Sequence, residues 1–243
     1  MKQEIFVIKS QEKIAKDVFK MVLSGNTDDI TASGQFVNIK LDGFYLRRPI
    51  SVCDYDKNEL TLIYKTVGEG TAAMSRYENG TELDILTGLG NGYDTSLSGE
   101  KPLLLGGGVG VPPLYNLCKK LIAEGKKPTV ILGFNSADDV FYENEFKALG
   151  ADVYVTTADG SYGIKGFVTD AMAGLDYSFF YTCGPEPMLK AIYNVSNTSG
   201  QLSFEERMGC GFGACMGCSC KTKYGNKRIC KDGPVLIKEE IIW

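Results

Sequence analysis

The stretch PLLLGGGVG, residues 102–110, predicts a short buried strand that ends in a turn of glycines. A helix-like run at 114–125 and a second strand-like run at 128–134 follow it. The same alternation continues to residue 184, with one more helical run and two more apolar strands. Strands that alternate with helices predict an open parallel sheet flanked by helices, which we place at residues 99–199.

The glycine turn has the context of a nucleotide site, because it joins a buried strand to a helix. Backbone amides in such a turn can approach a phosphate closely, so Gly107, Gly108 and Gly110 are candidate contacts. The turn is not the strict G-x-G-x-x-G fingerprint, and a tight turn without a ligand is the alternative. The last strand ends in another sharp turn at Cys183 and Gly184, where a parallel sheet presents residues to its ligand.

The residues after the second strand bear on the choice between the two nicotinamide dinucleotides. A 2′-phosphate favours an arginine or lysine at this place, whereas residues 135–139 include Asp138 and Asp139 and no basic residue. The segment therefore predicts NAD rather than NADP.

Residues 1–98 predict a separate domain built from β-strands. Strand-like runs at 4–10, 18–23, 35–39 and 59–65 are separated by Gly, Asn and Asp. The intervals are typical of a small barrel or sandwich. One helix-sized segment, 71–77, interrupts them.

Two motifs in this domain suit a flavin dinucleotide. In the run RRPIS, residues 47–51, Arg48 can neutralise a pyrophosphate and Ser51 can reach a flavin ring atom. Two arginines before a proline occur by chance in many loops, so this motif alone is weak. It gains weight from Gly70 and Thr71, which open the helical segment and suit a phosphate cradle.

Composition excludes several classes of function. The net charge of −4 gives no electrostatic basis for binding nucleic acid or an anionic membrane. No apolar run approaches the roughly 20 residues that cross a bilayer, and no apolar signal segment begins the sequence, so we expect a cytoplasmic protein. Histidine is absent, which excludes a Ser-His-Asp triad, a zincin site and a Rieske centre.

Residues 200–243 break the alternating pattern and carry the strongest chemical signal. Cys210, Cys215, Cys218 and Cys230 have the spacing C-x4-C-x2-C-x11-C. C-x4-C-x2-C with a distant fourth cysteine is the ligand spacing of plant-type [2Fe–2S] ferredoxins. Glycines between these cysteines suit a loop that brings its amides close to cluster sulfur. We therefore predict a small [2Fe–2S] domain over 200–243.

Other interpretations of the cysteines are open from the residues alone. Structural zinc usually takes two C-x2-C knuckles and only one is present here, while disulfides are disfavoured in a reducing cytosol. Cys220 is an alternative to Cys218 as a ligand. The isolated Cys53, Cys118 and Cys183 are expected to pack as small apolar residues.

Taken together, these residues resemble the ferredoxin–NADP reductase superfamily over nearly the whole chain. The family's G-G-G-x-G and C-G-P-x-x-M turns match residues 106–110 and 183–188, and its arginine-to-serine flavin motif matches 48–51. The order of flavin, nucleotide and [2Fe–2S] segments is similar to the electron-transfer subunits of type B dihydroorotate dehydrogenases. The resemblance implies an antiparallel FAD-binding barrel and a parallel-sheet NAD-binding domain. The FAD contacts that it implies are Arg48, Pro49, Ile50, Ser51, Ile63, Tyr64, Lys65, Gly70 and Thr71.

The resemblance also implies a partner and a route for electrons. A partner subunit with FMN would oxidise dihydroorotate, and electrons would reach NAD⁺ through the [2Fe–2S] cluster and FAD of this chain, in a heterotetramer of two plus two. No catalytic side chain is needed, because the flavin carries the hydride. One departure from the family is the short gap of eleven residues before Cys230.

Two other functions remain as alternatives. One is a reductase subunit of a hydrogenase or of a ferredoxin-dependent transhydrogenase, which shares the same modules. The other is a non-catalytic binding module that carries zinc.

Overall fold

The N-terminal part of the molecule is a closed antiparallel barrel. The computed structural model describes residues 1–243. The barrel strands are β1 (Lys2–Ala15), β2 (Val18–Ser24), β3 (Phe36–Ile39), β4 (Arg48–Tyr55), β5 (Glu59–Lys65) and β6 (Glu82–Leu89), in the order β1-β2-β5-β4-β3-β6. A short helix, α1 (Glu69–Met74), connects β5 to β6. Of the two folds that the strand spacing allowed, the barrel is the one that forms.

Alternation of apolar and polar residues explains the barrel interior. In β6, Leu83 and Ile85 are buried in the barrel core while Glu82, Asp84 and Leu86 are not buried, as expected for a strand with one face inward. The sequence did not predict β4 or β6. The first strand, at 14 residues, is longer than predicted, because it pairs with β2 along one part and with β6 along another.

A seven-stranded sheet forms the second domain, as predicted. Its strands are β7 (Pro102–Gly107), β8 (Thr129–Phe134), β9 (Asp152–Thr157), β10 (Ile164–Lys165), β11 (Phe179–Cys183), β12 (Gly200–Ser203) and β15 (Val235–Ile237), in the order β10-β9-β8-β7-β11-β12-β15. All neighbours are parallel except β12 and β15. The helices are α2 (Pro112–Ala123), α3 (Glu143–Ala148), α4 (Val168–Met172) and α5 (Glu186–Val195). None of the helices is long and apolar enough to span a membrane.

The cysteine-rich segment leaves this sheet and returns to it. Between β12 and β15 the chain makes a loop and a two-stranded hairpin, β13 (Ser219–Thr222) and β14 (Gly225–Arg228). Backbone bonds continue the β12–β15 pairing, since the amide of Phe204 donates to the carbonyl of Pro234 at 2.9 Å. The boundary that we placed at residue 199 from the sequence therefore divides this sheet, because β12 and β15 follow it and the other five strands precede it.

Apolar cores lie on both sides of the second sheet, and each includes barrel residues. One core contains α2 together with Val18, Cys53 and Ile63 of the barrel, and Cys118 packs there as expected from the sequence. The other contains α5, Phe36 of β3, and the cysteines Cys218 and Cys230. The part of the cysteine-rich segment that contains Cys218 and Cys230 is therefore buried against both domains.

Polar contacts fix the barrel on helix α2. The Asn116 amide nitrogen donates to Asp54 Oδ1 at 2.7 Å, and its Oδ1 accepts from the Ser33 hydroxyl at 2.6 Å. Lys119 Nζ donates to Asp54 Oδ2 at 2.7 Å. Since Asp54 belongs to β4, these contacts hold the strand with the predicted flavin motif against the nucleotide domain.

Candidate redox and nucleotide sites

Backbone amides are directed at the sulfur atoms of the predicted cluster ligands. Cys210 Sγ accepts hydrogen bonds from the amides of Ala214 and Cys215 at 3.2 and 3.4 Å. The amide of Gly217 donates to Cys215 Sγ at 3.5 Å, and the amide of Cys230 donates to Cys218 Sγ at 3.4 Å. Amide donors of this kind stabilise a thiolate and metal-bound sulfur.

The surroundings of the thiols change their pKa values in opposite directions. Partial burial opposes ionisation of Cys210, but hydrogen bonds from the amides of Phe212, Cys215 and Ala214, together with the Cys215 thiol, outweigh it and lower the pKa to about 6. Burial raises the pKa of Cys230 to about 12, and the neighbouring Cys218 adds to this effect. The loop therefore favours the thiolate form at Cys210, where the backbone supplies most donors.

The four thiols form two pairs. The Cys215 thiol contributes to the pKa shift of Cys210 and the Cys218 thiol to that of Cys230, so the thiols of each pair are neighbours. Two pairs of thiolate ligands, each with an amide donor, are a donor set that fits the two irons of a [2Fe–2S] cluster.

Glycine and one arginine shape the loop around these thiols. Gly211 and Gly213 have φ of +78° and +93°, which other residues rarely adopt. Arg228 Nη1 donates to the carbonyl of Gly213 at 2.8 Å, while its Nε donates to Asp232 at 3.0 Å. The arginine thus braces the ligand loop and places a cation beside it.

Cys220 stands apart from the two pairs. It lies on β13 opposite Lys227 of β14, and its thiol makes none of the hydrogen bonds that link the other four cysteines. Burial raises its pKa, and the carboxylate of Glu206 adds to that shift. The structure therefore gives Cys220 no donors of the kind that surround Cys210.

Arg48 lies over the start of α1, where the sequence predicted a flavin phosphate site. A Cβ atom added to Gly70 would be 2.3 Å from Arg48 Nε, so only glycine permits this contact. The Arg48 guanidinium also stacks on the ring of Phe44 at 4.8 Å. A cavity of 320 Å³ opens here, and its lining includes Arg48, Phe44, Gly68, Gly70 and Thr71. The cavity brings together three of the predicted FAD residues.

The other predicted flavin residues divide between the faces of β4 and β5. Ile50 packs on the barrel core, so Pro49 and Ser51 face outward by alternation. Tyr64 also faces the barrel core, and its hydroxyl donates to Gln11 at 2.8 Å, which leaves its backbone for a ligand. Ile63 and Lys65 face the nucleotide domain.

A larger cavity of 420 Å³ lies at the carboxyl ends of β7, β8 and β9, beside the barrel. Gly107 and Gly108 line it as predicted. Lys65 and Asp139 also line it, and their side chains form an ion pair at 4.0 Å. The acidic run after β8 made Asp139 predictable from the sequence. Nothing in the sequence around Lys65 indicates that this barrel residue lines the nucleotide cavity. An acidic side chain here suits NAD, whose ribose has a hydroxyl where NADP has a phosphate.

The remaining predicted nucleotide residues, Gly110, Cys183 and Gly184, do not line this cavity but pack against its glycine turn. A Cβ atom added to Gly110 would lie 2.2 Å from the carbonyl oxygen of Cys183, and one added to Gly184 would lie 3.2 Å from the amide nitrogen of Gly107. The two glycine turns therefore cross in direct contact. Burial raises the pKa of the Cys183 thiol to about 12, so this thiol is neutral at physiological pH.

Comparison with known proteins agrees with this arrangement. Residues 205–242 match the model of the iron–sulfur cluster binding domain of dihydroorotate dehydrogenase B, and residues 104–194 match that of the oxidoreductase NAD-binding domain. The chain is 47% identical to the dihydroorotate dehydrogenase B (NAD(+)) electron transfer subunit of Fusobacterium nucleatum, over 99% of both chains. It is 42% identical to that of Bacillus mycoides, over 100% of this chain and 99% of the relative. The chain belongs to this family.

Two solved structures are similar to this chain over most of its length. The NADH-dependent reduced ferredoxin-NADP oxidoreductase has a TM-score of 0.88 and 31% identity, covering 98% of this chain and 90% of that one. Phthalate dioxygenase reductase, at 15% identity, shares the fold with a TM-score of 0.66, covering 90% and 86%. The alignments to electron transfer subunits are longer than this chain, so those relatives carry insertions that it lacks.

Substitution of Gly110 by alanine tests the contact between the two glycine turns. The methyl group would meet the Cys183 carbonyl, so we expect the KM for NADH to rise roughly tenfold, within the cost of about 1–3 kcal/mol for overpacking. The measurement is NADH-driven dye reduction. Gly150→Ala is the control, because its φ of +93° adds strain while no atom lies within 4 Å of the new methyl. Equal KM values for the two variants would contradict the assignment.

Proposed function

We propose that this chain passes electrons from dihydroorotate oxidation, in an FMN-bearing partner subunit, to NAD⁺ in pyrimidine biosynthesis. The observation that carries the proposal is the position of the cluster loop. Its cysteines Cys218 and Cys230 share an apolar core with Phe36 of β3, and β3 pairs with β4, which carries the flavin motif. The iron–sulfur and flavin sites are thus neighbours within one chain of a family named for this reaction.

The residues of this chain would form three binding sites, one each for the [2Fe–2S] cluster, FAD and NAD. When bound, the cluster accepts single electrons, and FAD converts them into the hydride that NAD⁺ takes. Cys210 and Cys215 would hold one iron, and Cys218 and Cys230 the other. Arg48 would neutralise the FAD pyrophosphate above Gly70, and Ser51 would face the flavin ring.

The nucleotide cavity would hold NAD between the two domains. Gly107 and Gly108 would admit the dinucleotide close to the backbone, while Cys183 and Gly184 would support this glycine turn from behind, near the nicotinamide. Asp139 would bind a ribose hydroxyl. We place the protein in the cytoplasm and in a heterotetramer of two such chains with two catalytic subunits.

One alternative is supported by a specific likeness. The similarity to the NADH-dependent reduced ferredoxin-NADP oxidoreductase covers nearly the whole chain, so a reductase subunit of a transhydrogenase is the second candidate. It predicts electron exchange with ferredoxin and none with a dihydroorotate-oxidising partner.

Anaerobic purification with cofactor analysis tests the main proposal. We expect two irons and one FAD per chain, bleaching of the visible spectrum by NADH, and dye reduction without dihydroorotate oxidation. Addition of the FMN-bearing subunit should then give dihydroorotate-dependent NAD⁺ reduction. One zinc and no iron would contradict the redox function. Electron exchange with ferredoxin, without any response to the catalytic subunit, would favour the alternative.

The adjacent arginines offer a matched test of the flavin site. Arg48→Leu removes a cation that forms no ion pair within the chain, and we expect FAD to bind roughly 10- to 100-fold more weakly, as for a lost charge-assisted hydrogen bond. Arg47→Leu is the control, since Arg47 Nη2 instead pairs with Asp84 at 2.9 Å within the barrel. It should lower the melting temperature and leave FAD affinity unchanged. Flavin fluorescence titration measures both, and equal affinity losses would contradict the role of Arg48.

Exposed apolar side chains around the cluster loop suit the partner subunit. Met216 and Phe212 are 53% and 42% exposed and flank Cys215, which is itself exposed. We expect Met216→Glu to weaken association with the catalytic subunit by at least about tenfold, as for a core interface residue. Ile5→Glu, at a barrel position that is 54% exposed, is the control. Analytical ultracentrifugation of the complex measures both, and unchanged assembly of Met216→Glu would place the interface elsewhere.

A further inference from the structure

Asn38 of β3 forms a buried polar contact with the cluster loop. Asn38 is only 1% exposed, and its Nδ2 donates to the carbonyl oxygen of Cys210 at 3.3 Å. Its Oδ1 is buried and has no donor within the protein. A buried amide oxygen without a partner is costly, and native proteins rarely keep one without a reason.

The position of Asn38 on its strand directs it outward from the barrel. Val37 and Ile39 face the barrel core, whereas Phe36 packs in the core that contains Cys218 and Cys230. By the two-residue repeat of a strand, Asn38 and Phe36 share one face. An asparagine at a site this buried is explained by the hydrogen bond that it makes, because apolar residues occupy the rest of β3.

The cluster loop is shaped to receive this side chain. A Cβ atom added to Gly211 would lie 2.3 Å from Asn38 Nδ2, and Gly211 has a φ of +78°. Glycine therefore permits both the backbone conformation and the close approach of the amide. The contact lies next to Cys210, the ligand whose sulfur receives the most backbone donors.

No other hydrogen bond connects the barrel to residues 205–218. On the far side, Arg228 holds the loop through the carbonyl of Gly213, and Asn91 of the barrel bonds to Val235, beyond the loop. Asn38 is thus the single polar anchor between the barrel and the segment with three of the four ligands. In the sheet it lies opposite Pro49, within the predicted flavin motif.

We propose that Asn38 is a positioning residue that docks the ligand loop on β3, next to the strand β4 that carries the flavin motif, and so fixes the separation between cluster and flavin. The inference rests on the proposed function. Nδ2 holds the Cys210 segment, while Oδ1 stays buried without a donor from the protein. Loss of the amide would let the loop move away from β4 without removing any cluster or flavin ligand.

The test compares the holoprotein with Asn38→Leu, which keeps the volume and removes both polar atoms. Rapid mixing with NADH follows flavin reduction and cluster reduction separately in one chain, and iron and FAD are counted first. We expect flavin reduction at the wild-type rate and cluster reduction slowed roughly tenfold, the factor equivalent to one neutral hydrogen bond. If Asn38→Leu fails to retain iron, Asn38→Ser, which removes the amide and fills less space, is measured instead.

Asn91→Leu is the matched control. It removes a paired amide contact between the barrel and Val235, so it should lower the melting temperature while cluster reduction keeps its rate. Wild-type cluster reduction in the Asn38 variant, or equal slowing in both variants, would overturn the inference. A wild-type chain that lacks iron or FAD, or whose cluster does not respond to NADH, would instead overturn the proposed function.

Discussion

The pairing of β12 with β15 is the constraint on which the placement of the redox sites depends. Three residue pairs, Gln201 with Ile237, Leu202 with Leu236 and Ser203 with Val235, close the base of the cysteine-rich loop on the edge of the nucleotide sheet. Closing a flexible loop of this length costs entropy, and the sheet bonds and buried apolar side chains offset that cost. Because the base is fixed there, the loop has the barrel as its neighbour and Cys218 and Cys230 are buried against Phe36.

The sequence predicted those helices and strands whose apolar pattern and flanking turn residues lie within the element itself. The strand and glycine turn at 102–110, the helices α2 and α3 and the strands β8, β9 and β11 lie close to their predicted places, since each carries its own apolar period and punctuation. Strand β10 and helix α4, which lie between β9 and β11, were not predicted. Strand β4 was not predicted, because it begins with Arg48 and Pro49, which are poor strand residues. Strands β12 and β15 were not predicted either. Each is too short to show an alternating pattern, and they form the edge of the sheet by pairing with each other although more than thirty residues separate them in sequence.

The residues of the candidate sites likewise fall into those that a local motif predicts and those that only the folded structure shows. Spacing alone predicted the four cysteines as ligands, since a ligand loop is encoded within about twenty residues, and residues 47–51 and 106–110 likewise contain their motifs. Lys65 at the nucleotide cavity and Asn38 at the cluster loop have no such motif. Their roles arise because the barrel, the parallel sheet and the loop pack together, and a single sequence does not show which barrel residue meets which loop.

Cysteine chemistry in this chain shows why placement decides function. Cys183 and Cys210 are the same residue type, yet burial raises the pKa of the first to about 12, while amide donors lower that of the second to about 6. Cys183 lies where two glycine turns touch, so its carbonyl and its neutral thiol serve packing beside the nucleotide. Cys210 lies in a loop whose glycines turn successive amides toward sulfur, which is what a metal-bound thiolate requires. Glycine acts in both places: the missing side chain of Gly110 lets the carbonyl of Cys183 come close, whereas the positive φ angles of Gly211 and Gly213 turn amides toward the sulfur of Cys210.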